Sequence, residues 1–163
     1  ALDEYDGPIL VSYSDIVYPP EVVEALLKCP AELAITYDTR WLQLWQRRFE
    51  TPLSDAETLR IGADGCLVEI GNRADTVDEV QGQFMGVMKI ERVACDWIRQ
   101  LLRSDPKARF ELDTTSLLSK LITSGHQVVG VPVSNPWCEV DSHSDRHVAE
   151  ELIAEGALNA PRQ

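Results

Sequence analysis

Short apolar runs alternate along this chain with stretches whose apolar residues recur every three or four positions. Residues 9–12 (ILVS) follow the turn signal Asp6-Gly7-Pro8 and predict a buried strand. Pro19 and Pro20 then open a helix with Val22, Val23, Leu26 and Leu27 on its inner face, and Pro30 lies beyond its end. Proline suits a first turn because the N–H it lacks has no partner there. Residues 33–37 (LAITY) predict the next strand. Asp38 or Thr39 is placed to cap a short helix over residues 41–49.

Further on, residues 58–61 and 66–70 predict a hairpin closed by Gly62-Ala63-Asp64-Gly65. Residues 72–80 are polar and acidic, as a loop would be. A strand with an internal glycine is predicted over residues 84–90 (FMGVMKI). Helices follow over residues 93–102 and 115–124, the second stopped by Gly125. Residues 128–133 (VVGVPV) form a strand, residues 137–140 a short strand or turn, and residues 144–154 the last helix. The tail from Gly156 is expected to be loose. Strands alternate with helices and one hairpin interrupts them, which predicts one α/β domain over residues 1–163, layered around a mixed sheet.

Charge narrows the function classes. The 163 residues carry a net charge of −12, which argues against a phosphate-backbone binder, since nucleic-acid affinity comes largely from Lys and Arg. A small phosphate compound remains compatible if a metal supplies the positive charge. No apolar run approaches the roughly 20 residues of a membrane span. Cys29, Cys66, Cys95 and Cys138 are scattered without a C-x-x-C pair, so reduced thiols and a cytoplasmic location are expected.

Candidate chemistry lies at the strand ends, where open α/β sheets bind ligands. Asp15, Asp38 and Asp141 each follow a predicted strand. Carboxylates converging on one rim suit Mg²⁺, which takes one or two of them and fills its remaining positions with water and substrate phosphates. The plainer alternative makes them turn residues and helix caps, with Asp141, Ser142 and Ser144 capping the last helix. A rival zinc site of Cys138, Glu139, His143 and His147 lacks a zinc-like spacing. No G-x-S-x-G elbow supports a serine nucleophile.

The order SYSDI, ITYDTRW, VEIG, GQFMGVMKI, TTSLLSKLITSG and WCEVD followed by Asp145 resembles the nucleotidyltransferase family. The similarity is to its branch that activates phosphocholine or 2-aminoethylphosphonate with CTP, and it covers about residues 8–154. It implies a layered αβα nucleotide-diphospho-sugar-transferase-like fold with a mixed, mainly parallel sheet. It also implies Asp15 and Asp141 as Mg²⁺ ligands, and Glu69, Gly71, Gln83 and Gly86 as positions lining the acceptor site. The family's G-x-G-x-R loop and its K-P lysine are not found here, so the sequence reads as the C-terminal part, without the nucleotide-binding portion. The sheet edge this would leave open is expected to favour association, a homodimer being one form.

The implied reaction transfers CMP from CTP to a phosphate or phosphonate and releases pyrophosphate. A sugar 1-phosphate acceptor is the alternative within the family, and a non-catalytic fragment binding a metabolite or partner chain is the alternative outside it. An acceptor bearing an ammonium group calls for carboxylates or aromatic faces. Asp38 and Glu139 are candidates for the first, Trp41 and Trp137 for the second, while Trp45 reads as core. Lys89 reads as a phosphate contact or a solvated strand residue, and Arg47 and Arg48 as surface charges, one of them alternatively reaching the acceptor phosphate.

Overall fold

The computed structural model describes residues 7–105 and 111–158. Four strands form the central sheet: β1 (Ile9–Ser12), β3 (Leu33–Asp38), β6 (Gln83–Ile90) and β7 (Val129–Val133), in the order β1-β6-β3-β7. β6 is antiparallel to both β1 and β3, and β7 is parallel to β3. Three of the four strands therefore share a direction, and the carboxyl ends of β1, β3 and β7 open on one rim. Two short ribbons flank this sheet: β4 (Glu57–Ile61) with β5 (Leu67–Arg73), and β2 (Ile16–Val17) with β8 (Cys138–Glu139).

The alternation along the strands sorts side chains to two faces. Ala34, Met85 and Val87 join one apolar cluster with Val22 and Leu26 of α1 (Pro20–Lys28). Trp41, Leu44 and Trp45 of α2 (Trp41–Arg48) join the same cluster, as do Val148, Ala149 and Leu152 of α5 (His143–Ala154). On the other face, Leu33, Ile35, Met88 and Ile90 pack with Ala94, Cys95 and Ile98 of α3 (Arg92–Ser104). Leu118 and Leu121 of α4 (Thr114–Thr123) and Leu59 and Ile70 of the hairpin complete that layer. The result is the αβα sandwich around a mixed sheet expected from the sequence, though two of the central sheet's three pairings are antiparallel rather than mainly parallel.

Local signals explain the ends of these elements. Pro20 stands in the first turn of α1. Asp113 caps α4 by accepting the Ser116 N–H at 2.7 Å. Ser142 and Asp145 form a reciprocal capping box that starts α5. The tail departs from expectation: Ala157 and Leu158 both donate backbone N–H groups to the Leu152 carbonyl, and Leu158 is buried. The rest of the tail, 159–163, lies outside the described residues.

The pairing of β3 with β6 is irregular at one point. Between Ile35 and Tyr37 of β3, the partner strand advances from Met88 to Phe84, so β6 carries extra residues there. Gly86 sits in that bulge with φ of 73°.

Candidate functional site

β2 and β8 bring two distant segments together at the rim. Ile16 pairs with Glu139 and Val17 with Cys138. The Val140 N–H donates to the Asp15 carbonyl at 2.8 Å, which extends the ribbon by one bond. Asp15 and Asp141 thus flank the end of a single ribbon, although they are far apart in sequence. Both side chains are exposed.

Beside this ribbon lies an open cleft of about 290 Å³. Five carboxylates line it: Asp55, Glu57, Asp113, Glu139 and Asp141. Tyr13, Trp45 and Phe84 supply aromatic wall, and Tyr13 meets Phe84 edge-on at 5.9 Å. None of its lining residues is Lys, Arg or His. Burial and neighbouring carboxylates raise several of its members. Burial pushes the Glu139 carboxyl above its ordinary value, and Asp141 and, more weakly, Asp15 push it further, against the hydrogen bond from Arg48. Partial burial likewise raises Glu57 against a hydrogen bond from Thr115, with Asp113 and Asp55 adding to the rise. Tyr13 is raised by burial and then by Glu139, Asp113 and Glu57, with a hydrogen bond to Thr114 opposing.

Behind the cleft stands Arg48, the residue sequence reasoning misjudged. Its neighbour Arg47 is a surface charge, bonded to Glu151 and Glu155. Arg48 is not: its side chain is 1% exposed. Nε donates to Asp145 at 2.8 Å, Nη1 to Glu139 at 3.0 Å and Nη2 to Asp141 at 3.2 Å. Asp145 is held well below the ordinary carboxylate range against its own burial, by Arg48 and Ser142.

The remaining predicted site residues divide. Gln83 is buried, lines the cleft and donates its Nε2 to the Glu57 carbonyl at 2.7 Å. Gly86 reaches the cleft through Tyr13, whose ring it packs against, and Gly71 through Thr115 in the same way. Glu69 sits apart, accepting from Thr58 and Asn72 and paired with Arg60 at 3.1 Å. Asp38 is buried, accepts the Trp137 indole N–H at 3.0 Å and the Arg40 backbone N–H at 2.7 Å, and lines a separate hollow of about 230 Å³. Burial raises its carboxyl. Trp137 lines that hollow as well. Trp41 is closed into the core, its indole N–H bonded to the Val80 carbonyl at 3.1 Å. The tryptophan at the acidic cleft is instead Trp45. Lys89 is buried, bonded to the Cys29 carbonyl and to Glu91, so it is neither a phosphate contact nor solvated.

The donor set tests what cation fits. Among the described residues no three His, Cys, Asp or Glu side chains gather as a metal cage, and Cys138, Glu139, His143 and His147 form no such group. Cys138 is buried, whereas His143 and His147 are exposed. Asp15 and Asp141 are two exposed carboxylates at one ribbon end, and Arg48 offsets only part of the negative charge beside them. A donor set of two carboxylates is compatible with Mg²⁺, which takes one or two and fills its other positions with water or substrate oxygens.

No family model matches the chain. It is 35% identical over 150 residues to a CTP:phosphoglutamine cytidylyltransferase of Campylobacter jejuni, across 88% of this chain and 59% of that protein. It is 26% identical over 145 residues to a bifunctional IPC transferase and DIPP synthase of Rubrobacter xylanophilus, across 88% of this chain and 30% of that protein. The chain thus spans 59% or less of the length of these relatives. In structure it resembles the inositol-1-phosphate CTP transferase of T. maritima, with a TM-score of 0.68 at 17% identity, over 97% of this chain and 59% of that one. No helix among the described residues is long and apolar enough to cross a membrane.

Proposed function

We propose that this chain, which belongs to the nucleotidyltransferase family, forms the acceptor side of a cytidylyltransferase whose acceptor pairs a phosphate or phosphonate with an ammonium group. An ionised oxygen of the acceptor attacks the α-phosphorus of CTP. The bond from that phosphorus to the bridging oxygen of the β-phosphate breaks, and pyrophosphate leaves with the electron pair. The nucleophile is already ionised at neutral pH, so the protein's task is placement and charge neutralisation rather than proton removal.

The cleft is the observation that carries this reading. Five carboxylates with no Lys, Arg or His in the lining would repel a phosphate and attract a cation. The acceptor's ammonium end therefore fits among Asp55, Glu57, Asp113 and Glu139, with the walls of Tyr13 and Phe84 adding cation–π attraction of about 0.5–2 kcal/mol. Its phosphate end then faces the rim at Asp15 and Asp141. Mg²⁺ held by these two residues would offset the charge of the two anions brought together there. The name of the Campylobacter relative supports CTP as donor and a phosphorylated, amino-bearing acceptor. A sugar 1-phosphate leaves the cleft's negative charge unanswered, since hydroxyls are neutral.

The test is pyrophosphate release by the full-length polypeptide with Mg²⁺ and CTP, offered 2-aminoethylphosphonate, phosphocholine or glucose 1-phosphate. Turnover with an amino-bearing acceptor, lost in Asp15→Asn, is the expected result. Turnover with glucose 1-phosphate alone would replace the ammonium reading with the sugar one. No turnover with any acceptor would favour a non-catalytic binding role.

A further inference from the structure

We infer that Arg48 is a positioning residue: it fixes how Glu139 and Asp141 present their oxygens to the cleft, and so sets how tightly the Asp15 and Asp141 pair holds a divalent cation. This rests on the reading of those two aspartates proposed above, and it adds a residue that touches neither substrate nor cation.

The geometry has the form of a chain of support. The Ser142 backbone N–H and hydroxyl both donate to Asp145 Oδ2, at 3.0 and 2.7 Å. Asp145 Oδ1 accepts from Arg48 Nε at 2.8 Å, so a carboxylate fixed by a helix cap fixes the guanidinium. The rings of Trp45 and Phe49 lie 5.1 and 5.0 Å from the guanidinium carbon and restrict it further. Its two outer nitrogens are then left for Glu139 Oε2 and Asp141 Oδ2. Each of these carboxylates gives one oxygen to Arg48, and no described hydrogen bond occupies the other.

A planar fork suits this task in a way a point charge does not. Guanidinium directs separate N–H groups at separate acceptors in one plane, whereas an ammonium has one centre and rotating donors. One positive charge against three carboxylates also leaves the group negative, so a cation is still attracted. Partners that orient a metal-binding carboxylate from behind are typically worth about 10–100-fold in metal affinity.

The test measures Mn²⁺ binding to the full-length polypeptide, without nucleotide, from the electron paramagnetic resonance signal of free Mn²⁺. Wild type, Asp141→Asn, Arg48→Lys and Asp145→Asn are compared, each checked for folding by thermal melting. Arg48→Lys keeps the charge and loses the fork. The expected result is binding weakened about tenfold or more in Arg48→Lys, with the variant still folded, and the same direction of change in Asp145→Asn. In the pyrophosphate assay the Mg²⁺ requirement of Arg48→Lys should rise while KM for CTP stays unchanged. Asp145→Asn serves if Arg48→Lys does not fold, because it removes the anchor and leaves Arg48 in place. Mn²⁺ binding that falls in Asp141→Asn but not in Arg48→Lys or Asp145→Asn would overturn the inference alone and leave Arg48 a structural residue. Wild-type binding that Asp141→Asn does not alter would overturn the metal reading and the inference with it.

Discussion

Gly86 and the ring of Tyr13 lie in such close contact that a methyl group on Gly86 would stand 2.6 Å from the ring carbons. Gly86 also has φ of 73°, in the region L side chains avoid. The same bulge therefore presses on the aromatic wall of the cleft. Gly86→Ala should cost roughly 2–4 kcal/mol, from left-handed strain together with overpacking. Urea unfolding measures this, and a loss under about 1 kcal/mol would mean that the bulge relaxes freely.

Arg47 and Arg48 are adjacent yet should respond very differently to mutation. Arg47 pairs with Glu151 and Glu155 at the surface, where such pairs are worth about 0–1 kcal/mol. Arg47→Ala should therefore change stability little. Arg48→Met strands Asp145 and Glu139 against each other and should cost about 3–5 kcal/mol. Equal losses from the two variants in chemical denaturation would contradict the buried network.

Binding of an amino-bearing acceptor should weaken in mild acid. Burial raises the Glu57 carboxyl, and the nearby Asp113 and Asp55 raise it further. Protonation removes a negative charge from the cleft, so acceptor KM should rise as pH falls toward this raised value. Glu57→Gln should show a higher KM at pH 7 and a flatter profile below it. An unchanged profile in Glu57→Gln would assign the pH dependence to another group.

Cys138 predicts a loss of stability in alkali. Its thiol is fully buried, and burial pushes it up to about 11 from an ordinary 9.0. Between these values the unfolded chain releases the proton and the folded chain keeps it. The unfolded state then binds fewer protons, so stability falls as pH rises above about 9. Melting of wild type should decline more steeply than that of Cys138→Ala over this interval. Cys138 should also resist alkylation in the native protein at pH 8.

Glu69 offers a control within the same hairpin. Its carboxylate faces Thr58, Asn72 and Arg60 rather than the cleft. Glu69→Gln should leave acceptor KM within about twofold of wild type, a difference well below one hydrogen bond's worth of about 1 kcal/mol. A large rise in KM would place Glu69 in the acceptor site after all.

Local pattern by itself determined the order of helices and strands, because turn residues, caps and hydrophobic spacing act over a few neighbours. Pro20, Gly125 and the apolar runs 33–37 and 128–133 are such signals, and each coincides closely with the start, end or span of an observed element. The same pattern placed Asp15 and Asp141 after strands. Tertiary structure alone decided what meets what. The ribbon of Ile16–Val17 with Cys138–Glu139 consists of two-residue strands, too short to leave a periodic signature. Trp41 and Trp45 share one helical spacing, yet in the fold Trp41 is closed into the core with its indole N–H on the Val80 carbonyl, while Trp45 lines the cleft. Arg47 and Arg48 carry the same charge at neighbouring positions. One turns to solvent and the other into the core because the partners of Arg48, Glu139 to Asp145, lie more than 90 residues away and arrive there only once the sheet is assembled.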